Sequence, residues 1–361
     1  LISNKILEGS SICSITWEQI MISKEFSLNT NLSLSMSTLK KFIPLYCKMM
    51  RALIYGVSGQ DGFYLTNYLL SLNYKIYGVT RDLKSSRIKR FLDFYELQMQ
   101  SEDVKIIEQK TNSYIKTTML INDIKPDEIY YLAGQSDINM SFESSEETFR
   151  SFVEPFEHIV KATAITNPKI KIFNPMSSDC FTDIGNSTIT LNTALNDNSP
   201  YSKSKNFIYK LSKQYAKKNG LLIKQAFLFN HESKLREGKY VLKKICNYFL
   251  EERYNKKEKL ILGNIDIVRN WGLSEEFVIG FHLLMSSDEN ETIICSPENY
   301  SIRQLLEYTF SKFNLDYREY ISISDDYLRK SDIKYRLADT SDIEQKLEWS
   351  PKCDALCTID H

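Results

Sequence analysis

Tyr201-Ser202-Lys203-Ser204-Lys205 sets a phenol and an amine four residues apart at the start of a helix, introduced by Asn198-Ser199-Pro200. Four residues is about one helical turn, so Tyr201 and Lys205 share a face. A phenol with a reference pKa of about 10 is a poor base at neutral pH. A neighbouring ammonium favours phenolate, which lets Tyr201 take a proton from a hydroxyl while hydride leaves the same carbon. Tyr-x-x-x-Lys also arises by chance in a Tyr- and Lys-rich chain, where a solvated helix face explains it. Its place downstream of Ser177, after a fifth strand, favours chemistry.

The second such stretch is RALIYGVSGQDGFYLTNYLL, Arg51 to Leu70. Ala52-Leu53-Ile54-Tyr55 reads as a strand, Gly56, Gly59 and Gly62 as a tight turn, and a helix follows from about Phe63. A glycine turn between strand and helix lets the backbone approach a pyrophosphate, whose charge then sits at the helix N-terminus. The bland alternative is a turn that merely needs positive φ.

These residues need a scaffold, and the chain has the pattern of one. Strands are expected at Lys75–Val79, Val104–Ile107, Glu128–Leu132, Lys169–Phe173 and Leu221–Leu228, with helices at 63–73, 113–123, 146–165 and 201–219. Such alternation marks an α/β, Rossmann-type, doubly wound parallel sheet. Past about residue 230 it fades into shorter mixed elements, the usual place of a smaller α/β substrate-binding lobe. The expected division is 1–49, an N-terminal extension outside the fold; 50–230, the dinucleotide-binding domain; and 231–361, mainly the substrate lobe.

Composition removes several functions. Lys+Arg and Asp+Glu number 46 each, so nucleic acid and anionic membrane are poor default partners. No run of about 18 apolar residues is present, so no transmembrane helix is expected. Seven cysteines (13, 47, 180, 246, 295, 353 and 357) are scattered without metal-ligand spacing. They read as free thiols of a cytoplasmic protein rather than a disulfide framework, and no metal is expected.

With these motifs in place, the chain resembles the extended short-chain dehydrogenase/reductases, and among them the GDP-mannose 4,6-dehydratases, over roughly Arg51 to Pro351. The resemblance rests on GVSGQDGFYL, EIYYLAGQSDINMSF, FNHES, LGNIDIVRNWG and YLRKSD followed by LAD and EWSP, in that order. It implies a lyase that oxidises carbon 4 of a GDP-hexose, eliminates water across carbons 5 and 6, and returns hydride to carbon 6. It also implies NADP, with NAD as the alternative, a GDP-sugar substrate, and a homodimer or homotetramer. Rival readings are a GDP-deoxyhexose reductase or epimerase, and a dinucleotide-binding scaffold without turnover.

Carried over by motif, the catalytic set is Ser177, Asp179, Tyr201 and Lys205. Ser177 stands for a family Thr and Asp179 for a family Glu, one methylene shorter; Asp179 also reads as a turn or N-cap aspartate. Cys180-Phe181-Thr182 replaces the usual Leu-Tyr-Gly. The cofactor set is Gly56, Gly59, Gln60, Asp61, Gly62, Arg81, Gln135, Tyr201 and Lys205. Arg81 suits a 2′-phosphate, whereas Asp82 lies where an acid would bind a free ribose diol; Lys110 stands about where the family has an Asp near the adenine. The substrate set is Ser136, Asn230, Lys243, Arg269, Arg329 and Asp332. Lys243 replaces an Arg, Asp332 a Glu, and Asn270 the Asp after Arg269. No final helix is expected after Trp349-Ser350-Pro351.

Overall fold

The computed structural model describes residues 49–96, 103–109, 113–134, 138–327 and 333–361. The expected extension 1–49 thus lies outside the described residues apart from Met49, as do Lys110, Gln135, Ser136, Arg329 and Asp332.

Short apolar runs make the first strands: β1 (Arg51–Tyr55), β2 (Lys75–Thr80), β3 (Val104–Glu108), β4 (Glu128–Tyr131), β5 (Lys171–Ser177) and β6 (Leu222–Leu228). Then come β7 (Asn230–Glu232), β8 (Leu260–Leu262), β9 (Val268–Leu273), β10 (Glu291–Ile294), β11 (Asn299–Ser301) and β12 (Ile321–Ile323). A seven-stranded parallel sheet runs β10-β6-β5-β4-β1-β2-β3. A three-stranded sheet, β11-β9-β7, and a two-stranded one, β12-β8, lie apart from it. The helices are α1 (Gln60–Ser71), α2 (Ser86–Glu96), α3 (Tyr114–Ile124), α4 (Ile138–Glu143), α5 (Ser145–Thr166) and α6 (Pro200–Asn219). They continue as α7 (Val241–Leu250), α8 (Ser274–Ser286), α9 (Ile302–Ser311), α10 (Ser341–Leu347) and α11 (Ala355–Asp360).

Alternate side chains of β1 serve opposite faces, as a strand's period of two requires. Ala52 and Ile54 join Leu65, Leu69, Phe277, Phe281 and Leu284 of α1 and α8 in one core layer. Leu53 and Tyr55 join Ile121, Phe156, Ile159 and Ile208 of α3, α5 and α6 in the other. Helices on both faces explain why β1 and β4 are apolar almost throughout.

The region past residue 230 is more ordered than its sequence suggests: β10 extends the main sheet beside β6, and α8 packs on that sheet. Leu242, Tyr248, Phe249, Trp271, Leu305 and Phe310 build a separate core around α7, β9 and α9. Two expectations are corrected at the chain end. A final helix does follow Pro351: Asp354 caps α11 by accepting from the backbone N–H of Cys357 at 3.0 Å. Cys353 and Cys357 are disulfide-bonded, their Cα atoms 5.2 Å apart, which is within bridging range, whereas Cys180, Cys246 and Cys295 are free.

Candidate active site

The sheet order reverses between β1 and β4, and in open α/β sheets the crevice at the carboxyl ends of such strands is where ligands sit. Gly56 follows β1 with φ +84°, and a Cβ there would lie 2.8 Å from the backbone of Leu132 and Ala133 beyond β4. At Gly62 a Cβ would meet the Gly56 carbonyl oxygen at 2.4 Å, so α1 can press against the turn only as glycine. Gly59 caps α1 without a side-chain hydrogen bond. The first-turn N–H groups therefore keep no side-chain acceptor at the cap, an arrangement that suits a pyrophosphate. The turn thus fits a dinucleotide.

Gln60 and Asp61 direct their side chains to the strand that carries FNHES. The Gln60 amide donates to the His231 carbonyl at 3.1 Å and accepts from the Ser233 hydroxyl at 2.8 Å. His231 places Nε2 3.0 and 3.1 Å from the two Asp61 oxygens and Nδ1 2.8 Å from the Phe229 carbonyl. The carbonyl and the ionised carboxylate both accept, an arrangement that favours two ring N–H donors and hence the imidazolium form. Burial opposes that charge, but the Asp61 carboxylate outweighs it and the imidazole pKa is raised; that of Asp61 is lowered in turn, since His231 overcomes the cost of burial. The ring stacks on Phe277 at 4.6 Å. Arg236 and Glu232 form a 3.0 Å ion pair, and the guanidinium lies 3.5 Å over the Tyr240 ring. Sequence reasoning took only Asn230 from FNHES; the histidine beside it was the available signal for this cluster.

Across the cleft, α6 begins with a capping box in which Ser199 and Ser202 exchange hydrogen bonds, with Pro200 in the first turn. That start fixes Tyr201 and Lys205, 9% and 6% exposed, on the inner face. Tyr201 meets the Phe152 ring edge-on at 5.6 Å, and the Lys205 ammonium sits 4.9 Å over the same ring. Lys205 donates to the Pro175 carbonyl at 2.8 Å and lies within electrostatic reach of Asp61, which joins the catalytic face to the glycine turn. Burial pulls its pKa down to about 8. The phenol does not behave as expected from sequence. Burial pushes Tyr201 up, Cys180 and Asp179 add to that, and the hydrogen bond with Ser177 is what opposes it.

Strand β5 ends at Ser177, whose hydroxyl accepts from the Asp179 N–H at 3.2 Å and so turns the chain through residues 178–180. Asp179 thereby comes beside Tyr201 with its side chain 34% exposed. A residue that sequence reasoning missed holds this turn. Arg336, 3% exposed, donates from Nη1 to the Ser178 and Phe181 carbonyls at 2.8 and 3.1 Å, with Nε 3.8 Å from Asp179 Oδ1.

The remaining expected residues are more dispersed. Asn230 pairs with Trp271 in the β7–β9 ladder. Lys243 donates to the Lys234 carbonyl at 3.0 Å and lines a cavity of about 780 Å³ with Glu232, Ser233 and Cys246. Arg269 directs Nη1 to the Val268 and Lys334 carbonyls at 2.8 and 3.3 Å. Asn270, fully buried, accepts from the Ser296 N–H at 2.7 Å and donates to the Ser296 and Glu298 carbonyls at 2.8 and 3.0 Å. Arg81 is exposed just beyond β2, whereas the Asp82 carboxylate accepts from the Lys84 N–H at 2.8 Å. No group of three or more His, Cys, Asp or Glu capable of holding a metal occurs among the described residues.

Solved structures share this fold: the UDP-glucose 4-epimerase of Thermotoga maritima (TM-score 0.74, 17% identity, 86% of this chain and 98% of that one) and the dTDP-glucose 4,6-dehydratase DesIV of Streptomyces venezuelae (0.74, 16%, 86% and 96%). Sequence relatives include GDP-mannose 4,6 dehydratase 2 of Arabidopsis thaliana, 27% identical over 83% of this chain and 82% of the relative. The GDP-mannose 4,6-dehydratase of Vibrio cholerae is 26% identical (84% and 90%), and the human enzyme 26% (83% and 87%). The sequence model of the GDP-mannose 4,6 dehydratase family matches residues 53–359, from within β1 to within α11. A match of that extent makes this chain a member of the GDP-mannose 4,6-dehydratase family.

Proposed function

We propose that this chain dehydrates GDP-mannose, or a close GDP-hexose, to the GDP-4-keto-6-deoxy sugar. The observation that carries this reading is the one-third-exposed Asp179 carboxylate within electrostatic reach of the buried Tyr201. A nicotinamide dinucleotide bound at the glycine turn would supply the hydride acceptor for carbon 4 and the donor for carbon 6.

Tyr201 takes the proton from the carbon-4 hydroxyl, and Ser177, hydrogen-bonded to the phenol, steadies the reacting oxygen. Burial favours the neutral phenol, so Tyr201 can accept this proton only after giving up its own, and the ammonium of Lys205 with the positive charge of a bound oxidised dinucleotide would favour that phenolate. The new ketone acidifies the proton on carbon 5. Asp179 removes it and passes it to the carbon-6 hydroxyl, which leaves as water; hydride then returns to carbon 6, and a solvent proton, delivered through Asp179, to carbon 5. The shorter side chain of Asp179 makes this step sensitive to position, since a misplacement on the order of 1 Å costs about 10²-fold.

NADP is the favoured dinucleotide. Arg81 stands exposed past β2, while the rival Asp82 spends its carboxylate on the turn at Lys84. Asn230, Lys243 and Arg269, with Ser136, Arg329 and Asp332 by motif, are assigned to the GDP-sugar. Exposed Ile165 of α5 and Phe207 of α6, at 68% and 44%, favour self-association through that face, which light scattering checks. No helix among the described residues is long and apolar enough to cross a membrane.

The test is incubation of the purified protein with GDP-mannose, with products identified by mass and NMR. A 4-keto-6-deoxy product, with solvent deuterium at carbon 5 in heavy water, is expected. Reduction or epimerisation without water loss would transfer the weight to the reductase or epimerase reading.

A further inference from the structure

We infer that Arg336 is a positioning residue for Asp179, holding the turn and the carboxylate of the proton-abstracting group in one orientation. The inference rests on the reading of Asp179 as the carbon-5 base. Asp179 sits on a three-residue turn and has one methylene with which to reach the substrate, so its aim depends on the backbone. Arg336 grips that backbone on both sides of Asp179, at the carbonyls of Ser178 and Phe181, with Nε 3.8 Å from Asp179 Oδ1.

The grip has its own foundation. The Arg336 N–H donates to the Val268 carbonyl at 3.1 Å, and the Val268 N–H donates to the Lys334 carbonyl at 2.8 Å, which lashes the segment to β9. On its other side the Ile189 N–H donates to the Leu337 carbonyl at 2.9 Å. A guanidinium 3% exposed is costly to bury without a counter-charge, and Asp179 is the carboxylate placed to supply one. If holding the two carbonyls were its whole role, a neutral donor could serve. The charge points to the carboxylate, while the planar guanidinium lets one group reach both carbonyls and stay beside it.

Arg336→Met and Arg336→Lys, beside Asp179→Asn, test this in single turnovers of GDP-mannose in heavy water. Three quantities are read: the rise of reduced-nicotinamide absorbance, its decay, and deuterium at carbon 5. Calorimetry with GDP reports folding and substrate binding. For Arg336→Met we expect an unchanged rise and GDP affinity, with decay and deuterium uptake slowed about 10²-fold. Arg336→Lys keeps the charge but loses the fork and should fall between that variant and wild type. Wild-type deuterium uptake in Arg336→Met overturns the proposal, and so does an equal loss of rise and decay. If Arg336→Met does not fold, Arg336→Lys decides, and wild-type decay there counts against it. Asp179→Asn separates the two readings. Should it dehydrate normally, the Asp179 mechanism fails and Arg336 with it; should it block water loss while Arg336→Met does not, Arg336 alone is rejected.

Discussion

Two polar clusters, one at the glycine turn and one at the start of α6, handle charge in opposite ways. On the glycine-turn side Asp61 is matched by His231, Glu232 by Arg236, and both Gln60 side-chain atoms are bonded to the same strap. On the α6 side, Asp179 is 34% exposed while Tyr201 and Lys205 are buried. A cluster that only has to hold shape can close every charge on the protein, because a buried charge is tolerated when it is paired. A cluster that must move a proton has to leave one group open to the substrate. The first reads as scaffold, the second as chemistry.

The contrast is broken most directly at Tyr201. Tyr201→Phe should lower turnover by about 10²–10⁴-fold with GDP-sugar affinity nearly unchanged, because the phenol moves a proton but binds no phosphate. Retention of more than about a tenth of activity in steady-state assays would remove Tyr201 from the open cluster.

Arg269→Ala asks whether an arginine already bonded to backbone carbonyls also serves the substrate. If it meets a phosphate, GDP affinity by calorimetry should drop by about 1.5–3 kcal/mol. An unchanged affinity would remove Arg269 from the substrate set.

Asp61→Asn probes the closed cluster and should destabilise the protein by on the order of 1–3 kcal/mol, since it strips the imidazolium of its counter-charge. The pH dependence has a definite sign. His231 has a raised pKa, so its contribution is fully present below about 6.5 and is lost as pH rises through the folded value. Asp61, lowered, contributes above its usual range and is lost as pH falls through its folded value. Urea unfolding across pH 6 to 9 should show the His231 decline in wild type and a flatter profile in Asp61→Asn.

The smallest effect belongs to Lys205. Its pKa is held down to about 8 by burial, so between that value and its ordinary one the unfolded chain binds more protons and stability rises with pH. Lys205→Met should therefore gain on wild type at pH 7, and the advantage should shrink by about 1.4 kcal/mol toward pH 9, one pKa unit above the folded value. A constant difference across that range would show that the ammonium pays no desolvation penalty.

Much of the sheet was legible in the sequence because its strands are apolar on both faces: Ala52-Leu53-Ile54-Tyr55 can hardly be anything but a central strand once a glycine turn follows. The turn and the Tyr201–Lys205 face were legible for a similar reason, since their geometry is set within one helical turn or one strand–turn–helix unit. β10 was not. Glu291-Thr292-Ile293-Ile294 becomes a sheet strand because β6 leaves an edge free to pair with it, a fact of packing.

The same division runs through the site. Spacing placed Tyr201 and Lys205 as candidates, the family resemblance added Ser177 and Asp179, and the tertiary structure brought the end of β5 and the start of α6 together. What local sequence could not reveal is which charges are already spent. That Asp61 faces His231, that Asn270 is enclosed by the Ser296 loop, and that Arg336 grips the Asp179 turn depend on segments far apart in the chain. Hydrogen bonds and desolvation act over a few ångströms of space whatever the separation in sequence, so only the folded chain decides them.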